Sequence, residues 1–327
     1  MMTDPAANPS SRLMHASTAH RRGVGLAMAI VTTIVAALQP VALRYGALKT
    51  DPLIFATIAV GAAAVVAASV LGYTGEIKVL MRRDYAPRLF VVSMTGTLAT
   101  ALLLIYGLRR IDAIAGVLLL ESEPIYSLVL AMLFLRERPS GRQIFATATI
   151  LGGIGSVFGA SRVFSPFYAA AMVILTPLFW QSSHVLALRL MPPLRPLCMA
   201  GARYIYSALV LFVIVLVAHR GAFTQSVEVE VLLAGSFTGA VVYFIGSLSW
   251  YGAISRLSLA WTTALVIPGV PLLSMGFAII FLGERPGPRE VAGVLIAIAG
   301  VALLVTGIDA SRVSPFEAAE ATHQPLA

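Results

Sequence analysis

Residues 124–139 read PIYSLVLAMLFLRERP, and residues 271–286 read PLLSMGFAIIFLGERP. Eight of the sixteen positions are identical, where apolar-rich composition alone would give roughly one or two. Each copy opens on a proline, runs apolar and closes on Glu-Arg-Pro, so the chain carries an internal repeat at an offset of 147 residues. Further out, Ala42-Leu43-Arg44 matches Ala187-Leu188-Arg189, and Tyr106-Gly107 matches Tyr251-Gly252, both at an offset of 145. A two-residue insertion between the eighth and ninth apolar blocks reconciles the two offsets. Beyond the motif, Ala146, Gly153 and Ala160 correspond to Gly293, Gly300 and Gly307, a small residue every seven positions. Such a strip lets helix backbones approach closely, because van der Waals packing is a main attraction between helices in lipid. Whether the strip packs within one chain or between two is left open by the sequence.

The surrounding chain has membrane composition. Of its 327 residues, 58% are hydrophobic and 12% charged, against about 45–50% and about 25% in a soluble domain. The apolar residues fall into blocks at 24–45, 52–72, 88–109, 112–135, 142–160, 166–190, 196–218, 231–255, 258–282 and 288–308. About 20 such residues cross a bilayer as a helix. The expected fold is therefore all-α and integral to the membrane, with ten transmembrane helices in two five-helix repeats. The repeats occupy 24–160 and 161–308, between polar tails at 1–23 and 309–327. Five crossings is an odd number, so the second copy enters the membrane in the opposite sense. Inverted repeats of this kind characterise transporters that alternate access by rocking one half against the other.

A net charge of +8 raises the question of nucleic acid. The basic residues sit at the ends of apolar spans and not in one tract interleaved with aromatics, which is the pattern of topology-setting charge. With the N-terminus inside, 14 Lys and Arg fall in inner segments and 8 in outer ones, a bias carried by the first half. Both termini are thus expected in the cytoplasm of a multi-pass cell-membrane protein, which a reporter fused after Ala327 tests. The first apolar block is too long for a signal-peptide core, so it is expected to be a retained helix. Cys198 is the only cysteine, which leaves no intrachain disulfide and no cysteine-based metal cluster. It is expected to be a small packing residue.

Helix four with its turn, EPIYSLVLAMLFLRERPSGRQ (123–143), resembles the EamA domain of the drug/metabolite transporter superfamily. So does PLLSMGFAIIFLGERPGPREVAGVLIAIAGV (271–301). The resemblance is sharpest over 121–158 and 268–306. It implies ten helices in two inverted copies and, as the commonest activity, export of small metabolites or drugs. The related four-helix multidrug exporters carry a proton-coupling glutamate in helix one, whereas residues 24–45 contain no acid. Coupling therefore cannot be carried over by position.

Glu121 and Glu123 are the acids placed deep within a span. A carboxylate at mid-bilayer costs about 2.5–3.5 kcal/mol on insertion scales, which makes it a functional candidate by default. Two residues apart, they diverge by roughly 200° on a regular helix and cannot share a cavity without distortion. Glu123, on one face with Tyr126 and Ser127, is the better cavity residue; the plainer alternative for both acids is pairing with neighbouring helices. Pro124 and Pro271 match across the repeat, and Pro268 adds a second break in helix nine, at the position matching Glu121. Proline frees a carbonyl, tolerated at this depth only against protein or a wet cavity. Packing kinks are the alternative to ligand contact.

Helix six aligns Pro177 with Trp180, Gln181 and His184; helix three carries Ser93, Thr97 and Thr100; helix eight carries Ser236, Tyr243, Ser247 and Trp250. Such stripes on apolar helices suggest a shared cavity. Against this, Ser and Thr glue helices, a lone His184 is commonly a packing group, and Trp250, Tyr251 and Trp261 fit an interfacial aromatic belt. Arg203 is expected to snorkel to the inner face, with pairing to an acid or an anionic substrate as the alternative.

The expected function is secondary transport of a small metabolite or drug-like solute, most readily export, by alternating access. Glu123 would serve as proton or amine partner, between walls of Trp180, Tyr126 and Tyr243. A non-coupled facilitator is the runner-up. An intramembrane enzyme is distant, since His184 is the one histidine within a span and no metal triad or phosphate-binding glycine loop is present. The expected partners are the lipid bilayer, a small-molecule substrate and, as candidate coupling ion, protons. No cofactor, metal or nucleic acid is expected, and the chain is expected to act as a monomer or homodimer.

Overall fold

Lipid offers no hydrogen-bond partners, so a chain of this composition must satisfy its backbone within helices. The computed structural model describes residues 9–135, 140–158, 167–190, 194–218, 227–257, 262 and 265–305, and no strand occurs among them. The Glu137-Arg138-Pro139 turn, Ala160, Trp261, Gly307 and the 309–327 tail lie outside the described residues.

Helices follow the apolar blocks in order. They are α1 (Pro9–Lys49), α2 (Pro52–Tyr73), α3 (Ala86–Leu108), α4 in two pieces (Ala113–Leu120 and Glu123–Leu135) and α5 (Gly141–Phe158). Then come α6 (Phe167–Leu188), α7 (Pro196–Ala218), α8 (Val229–Ile254), α9 (Gly269–Leu282) and α10 (Pro288–Val305). Seven of them, α1 to α4 and α6 to α8, contain stretches long and apolar enough to cross a bilayer, and α9 is a shorter apolar helix. Large apolar side chains such as Leu209, Phe212, Val213 and Leu216 on α7, and Ile279, Ile280 and Phe281 on α9, are exposed. A water-soluble surface would not carry them in such number; lipid accepts them.

Local chemistry sets several ends. Asp51 accepts the Leu53 N–H at 2.8 Å and Pro52 sits in the first turn, starting α2. Gly283, at φ 65°, takes the left-handed conformation that stops α9. Cys198, buried at the start of α7, does more than fill space: its Sγ donates to Glu76 at 3.1 Å.

The two halves interlock. α1 packs on α8 and α9, and α6 packs on α3 and α4, so each half's first helix lies against the other half's third and fourth. α2 pairs with α7 and α5 with α10. The small-residue strip is resolved at this last pair. A Cβ on Gly153 would lie 2.7 Å from the Gly293 oxygen, and one on Gly300 would lie 2.9 Å from the Ile150 nitrogen. The described part of the strip thus packs within one chain, backbone against backbone.

Candidate functional site

Between the halves lies a cavity of about 190 Å³, walled by α1, α3, α4, α6, α7, α8 and the approach to α9. Three kinds of backbone irregularity face it.

The first is the break in α4. Pro124 has no N–H to give the Leu120 carbonyl, and the bonds tighten across the gap: Ser122 N–H to Leu119 at 3.2 Å, Ile125 N–H to Ser122 at 3.0 Å. The turn at Glu121-Ser122 swings both acids inward, and Glu121 and Glu123 line the same cavity. The expectation that only one of them could do so assumed a regular helix; the proline removes that assumption. Glu123 accepts from Gln181 Nε2 on α6 at 2.5 Å. Glu121 is buried, and its Oε2 has no hydrogen-bond partner among the described residues.

The second is Pro40 in α1, which with Ala36 and Gln39 lines the cavity. It deprives the Ala36 carbonyl of its helical donor.

The third is a pair of π-helical stretches, Met94–Ala99 in α3 and Thr238–Ile245 in α8. At the repeat offset of 145 they coincide. Such bulges are frequent at functional sites, and each carries a glycine that permits close approach. A Cβ on Gly96 would collide with Ser183 and lie 2.9 Å from Arg203 Nη2, and one on Gly239 would collide with the Ala59 oxygen.

Arg203 corrects the snorkelling expectation. Its side chain is buried and lines the cavity, held by Thr97 Oγ1 at 3.0 Å, Tyr251 OH at 3.0 Å and the Gly96 carbonyl. The alternative reading of Trp250 and Tyr251 as part of an interfacial belt is corrected with it. Tyr251 is fully buried, and Trp250 stacks on His184 with ring centroids 5.5 Å apart, both lining the cavity. Tyr243 stacks on Tyr204 at 5.7 Å, and Tyr204 OH donates to the Tyr243 carbonyl and pairs with Ser247 Oγ at 2.5 Å.

Of the sequence-derived candidates, Glu121, Glu123, Trp180, His184, Tyr243 and Ser247 line the cavity together with Thr97 and Thr100. Gln181 stands behind Glu123 as its donor. Tyr126 is half-buried and is not among the lining residues, although it follows Glu123 by one turn in the same piece of α4. The Ser127 side chain lies outside the described residues. Pro124 and Pro271 are buried and Pro268 half-buried, all away from the lining. They shape the helices and do not form the wall. Ser93 faces α7 instead, donating to the Leu89 and Ala202 carbonyls.

Sequence reasoning missed Gln39, Pro40 and Tyr204. A signal for the first was present: at offset 145 His184 maps onto Gln39, so the two helices present equivalent positions. Six buried side-chain polar atoms lack a hydrogen-bond partner among the described residues, and three of them, Glu121 Oε2, Tyr243 OH and Trp250 Nε1, belong to this lining. Buried polar groups are ordinarily satisfied, and three unpartnered ones around one cavity give it hydrogen-bonding capacity that the described residues do not use.

The description "EamA-like transporter family" fits this chain twice, over residues 23–159 and 167–306. A probable terminal-alkyne amino-acid exporter of Streptantibioticus cattleyicolor is 29% identical over 220 residues, covering 67% of this chain and 72% of that protein. A solved crystal structure superposes with a TM-score of 0.63 at 13% identity, over 86% of this chain and 96% of the other, which is a likeness of fold.

Proposed function

The chain belongs to the EamA-like transporter family, and from that premise we propose that it exports a small polar metabolite by alternating access. That it is a multi-pass membrane transporter of the drug/metabolite type follows from the family itself. The single observation that carries the finer reading is the pair of carboxyl groups at the α4 break, facing a cavity walled by both repeats. A carboxyl group buried in a span is expensive and for that reason a functional candidate by default, and Glu121 has an oxygen that nothing in the described chain satisfies.

In this reading α5, α9 and α10 join the seven longer helices as crossings. The 18 residues of α5 and of α10 lie within the roughly 17–25 that span a bilayer. Ten crossings, five to a repeat, would put both termini on one side and make the repeats inverted, and the Lys and Arg bias of the first half favours the cytoplasmic side. Access then alternates as the halves rock about the cavity. Glu123 and Glu121 exchange a proton or hold the solute's ammonium, while Trp180, His184, Tyr243 and Trp250 supply an aromatic wall. The amino-acid exporter among the relatives makes amino acids the solute class to assay first.

The test is uptake of labelled amino acids into proteoliposomes with and without an imposed pH gradient. Accumulation that follows the gradient, and is lost in Glu123→Gln while equilibrative exchange survives, is the expected result. Equilibrative flux indifferent to the gradient would establish the facilitator instead. Absence of flux for every amino acid would reject that solute class.

A further inference from the structure

Arginine presents five N–H donors in a fixed fork and stays charged at any physiological pH. The Arg203 guanidinium uses Nε on Thr97, one Nη1 donor on Tyr251 and one Nη2 donor on Gly96. All three acceptors are neutral, and no carboxylate pairs with Arg203 among the described residues. Two N–H groups remain on a buried cation that borders the cavity. A buried charge without a counter-ion is strongly destabilising unless something supplies one. Yet the chain spends a π-bulge, a glycine and two hydroxyls on aiming this one.

We propose that Arg203 is the anchor for the carboxylate of the transported solute, a specificity-determining residue that selects zwitterions over simple amines. The proposal rests on the amino-acid reading above and adds the polarity of the bound solute. Its carboxylate lies on Arg203 and its ammonium toward the Glu121 and Glu123 carboxyls, with the Tyr243 OH and Trp250 Nε1 as spare donors around it. The cavity thus sets a guanidinium and two carboxyl groups on separate helices, α7 and α4, with no ion pair between them among the described residues.

The experiment measures ligand-induced thermal stabilisation of the detergent-purified protein by the proteinogenic amino acids, each beside its methyl ester. The ester keeps the ammonium and side chain but loses the anionic charge. A charge-assisted pair predicts that the best-bound amino acid exceeds its ester by about ten- to hundredfold in apparent affinity. Arg203→Gln should bring that ratio to about one, and Arg203→Lys, which keeps the charge but not the fork, should leave it intermediate. A merely structural arginine would lower stability without moving the ratio. If Arg203→Gln does not fold, Thr97→Val removes one of the groups that aim the guanidinium, and the ratio should still fall; an unchanged ratio there overturns the proposal. Equal binding of acid and ester by the unaltered protein overturns the Arg203 assignment and leaves transport standing. No binding of any amino acid overturns the solute reading beneath it.

Discussion

At the scale of single residues, hydrogen-bond satisfaction separates groups that hold the fold from groups held ready. Tyr204 and Tyr243 stack as neighbours, yet the Tyr204 hydroxyl is bonded twice and the Tyr243 hydroxyl not at all within the described chain. Tyr204→Phe is therefore expected to cost about 1 kcal/mol of stability, the net worth of an ordinary hydrogen bond. Tyr243→Phe should leave the melting temperature unchanged or raise it, while weakening solute binding by about two- to tenfold. Thermal unfolding and ligand titration on the two variants check this; equal destabilisation by both would mean that Tyr243 has a structural partner. The acids were visible from sequence because charge in an apolar run is conspicuous. Their shared orientation was not, since it depends on how far Pro124 opens the helix.

At the scale of helices, close packing replaces the hydrophobic effect, which gives no net drive between helices in lipid. The α5–α10 pair shows the consequence. Gly153→Ala sets a Cβ against the Gly293 oxygen and the Ala297 nitrogen, both backbone atoms that cannot give way, whereas a Cβ on neighbouring Gly152 meets nothing within 4 Å. Gly153→Ala should destabilise by about 1–3 kcal/mol, as overpacking does, and Gly152→Ala by less than about 0.5 kcal/mol. Comparable melting temperatures for the two would argue that α5 and α10 do not pack this way. The seven-residue strip was legible in the sequence; its partner was not, because spacing describes one helix face and says nothing of what lies opposite.

At the scale of the molecule, the repeats are clasped by a residue that the sequence offered only as part of a turn. Glu284, in the second Glu-Arg-Pro motif, accepts the Ala113 and Ile114 N–H groups at 2.8 and 3.1 Å, at the start of α4 in the first half. It lies 3.9 Å from Arg44, which also donates to Asp112. Burial pushes the Glu284 carboxyl above its ordinary range, against the lowering influence of the two amides and Arg44. The folded chain then holds this proton more tightly than the unfolded one. Its contribution to stability is greatest below the ordinary carboxylate pKa, declines as pH rises through the raised value, and is flat above it. Glu284→Gln should abolish that slope in melting temperature against pH; an identical slope in both proteins would assign it to another group.

Sequence by itself determined the membrane class, the order of the helices and the doubling of the chain. These follow from composition, run length and self-similarity, which are properties of neighbouring residues. Tertiary structure decided where the chemistry gathers. Arg203 faces inward because a π-bulge 106 residues away in the chain offers it acceptors, Trp250 sits at the cavity and not in a belt because His184 provides a stacking surface, and Glu121 joins Glu123 because Pro124 breaks their helix. Contacts across such separations, and the bends that permit them, leave no periodicity in the sequence from which they could have been read.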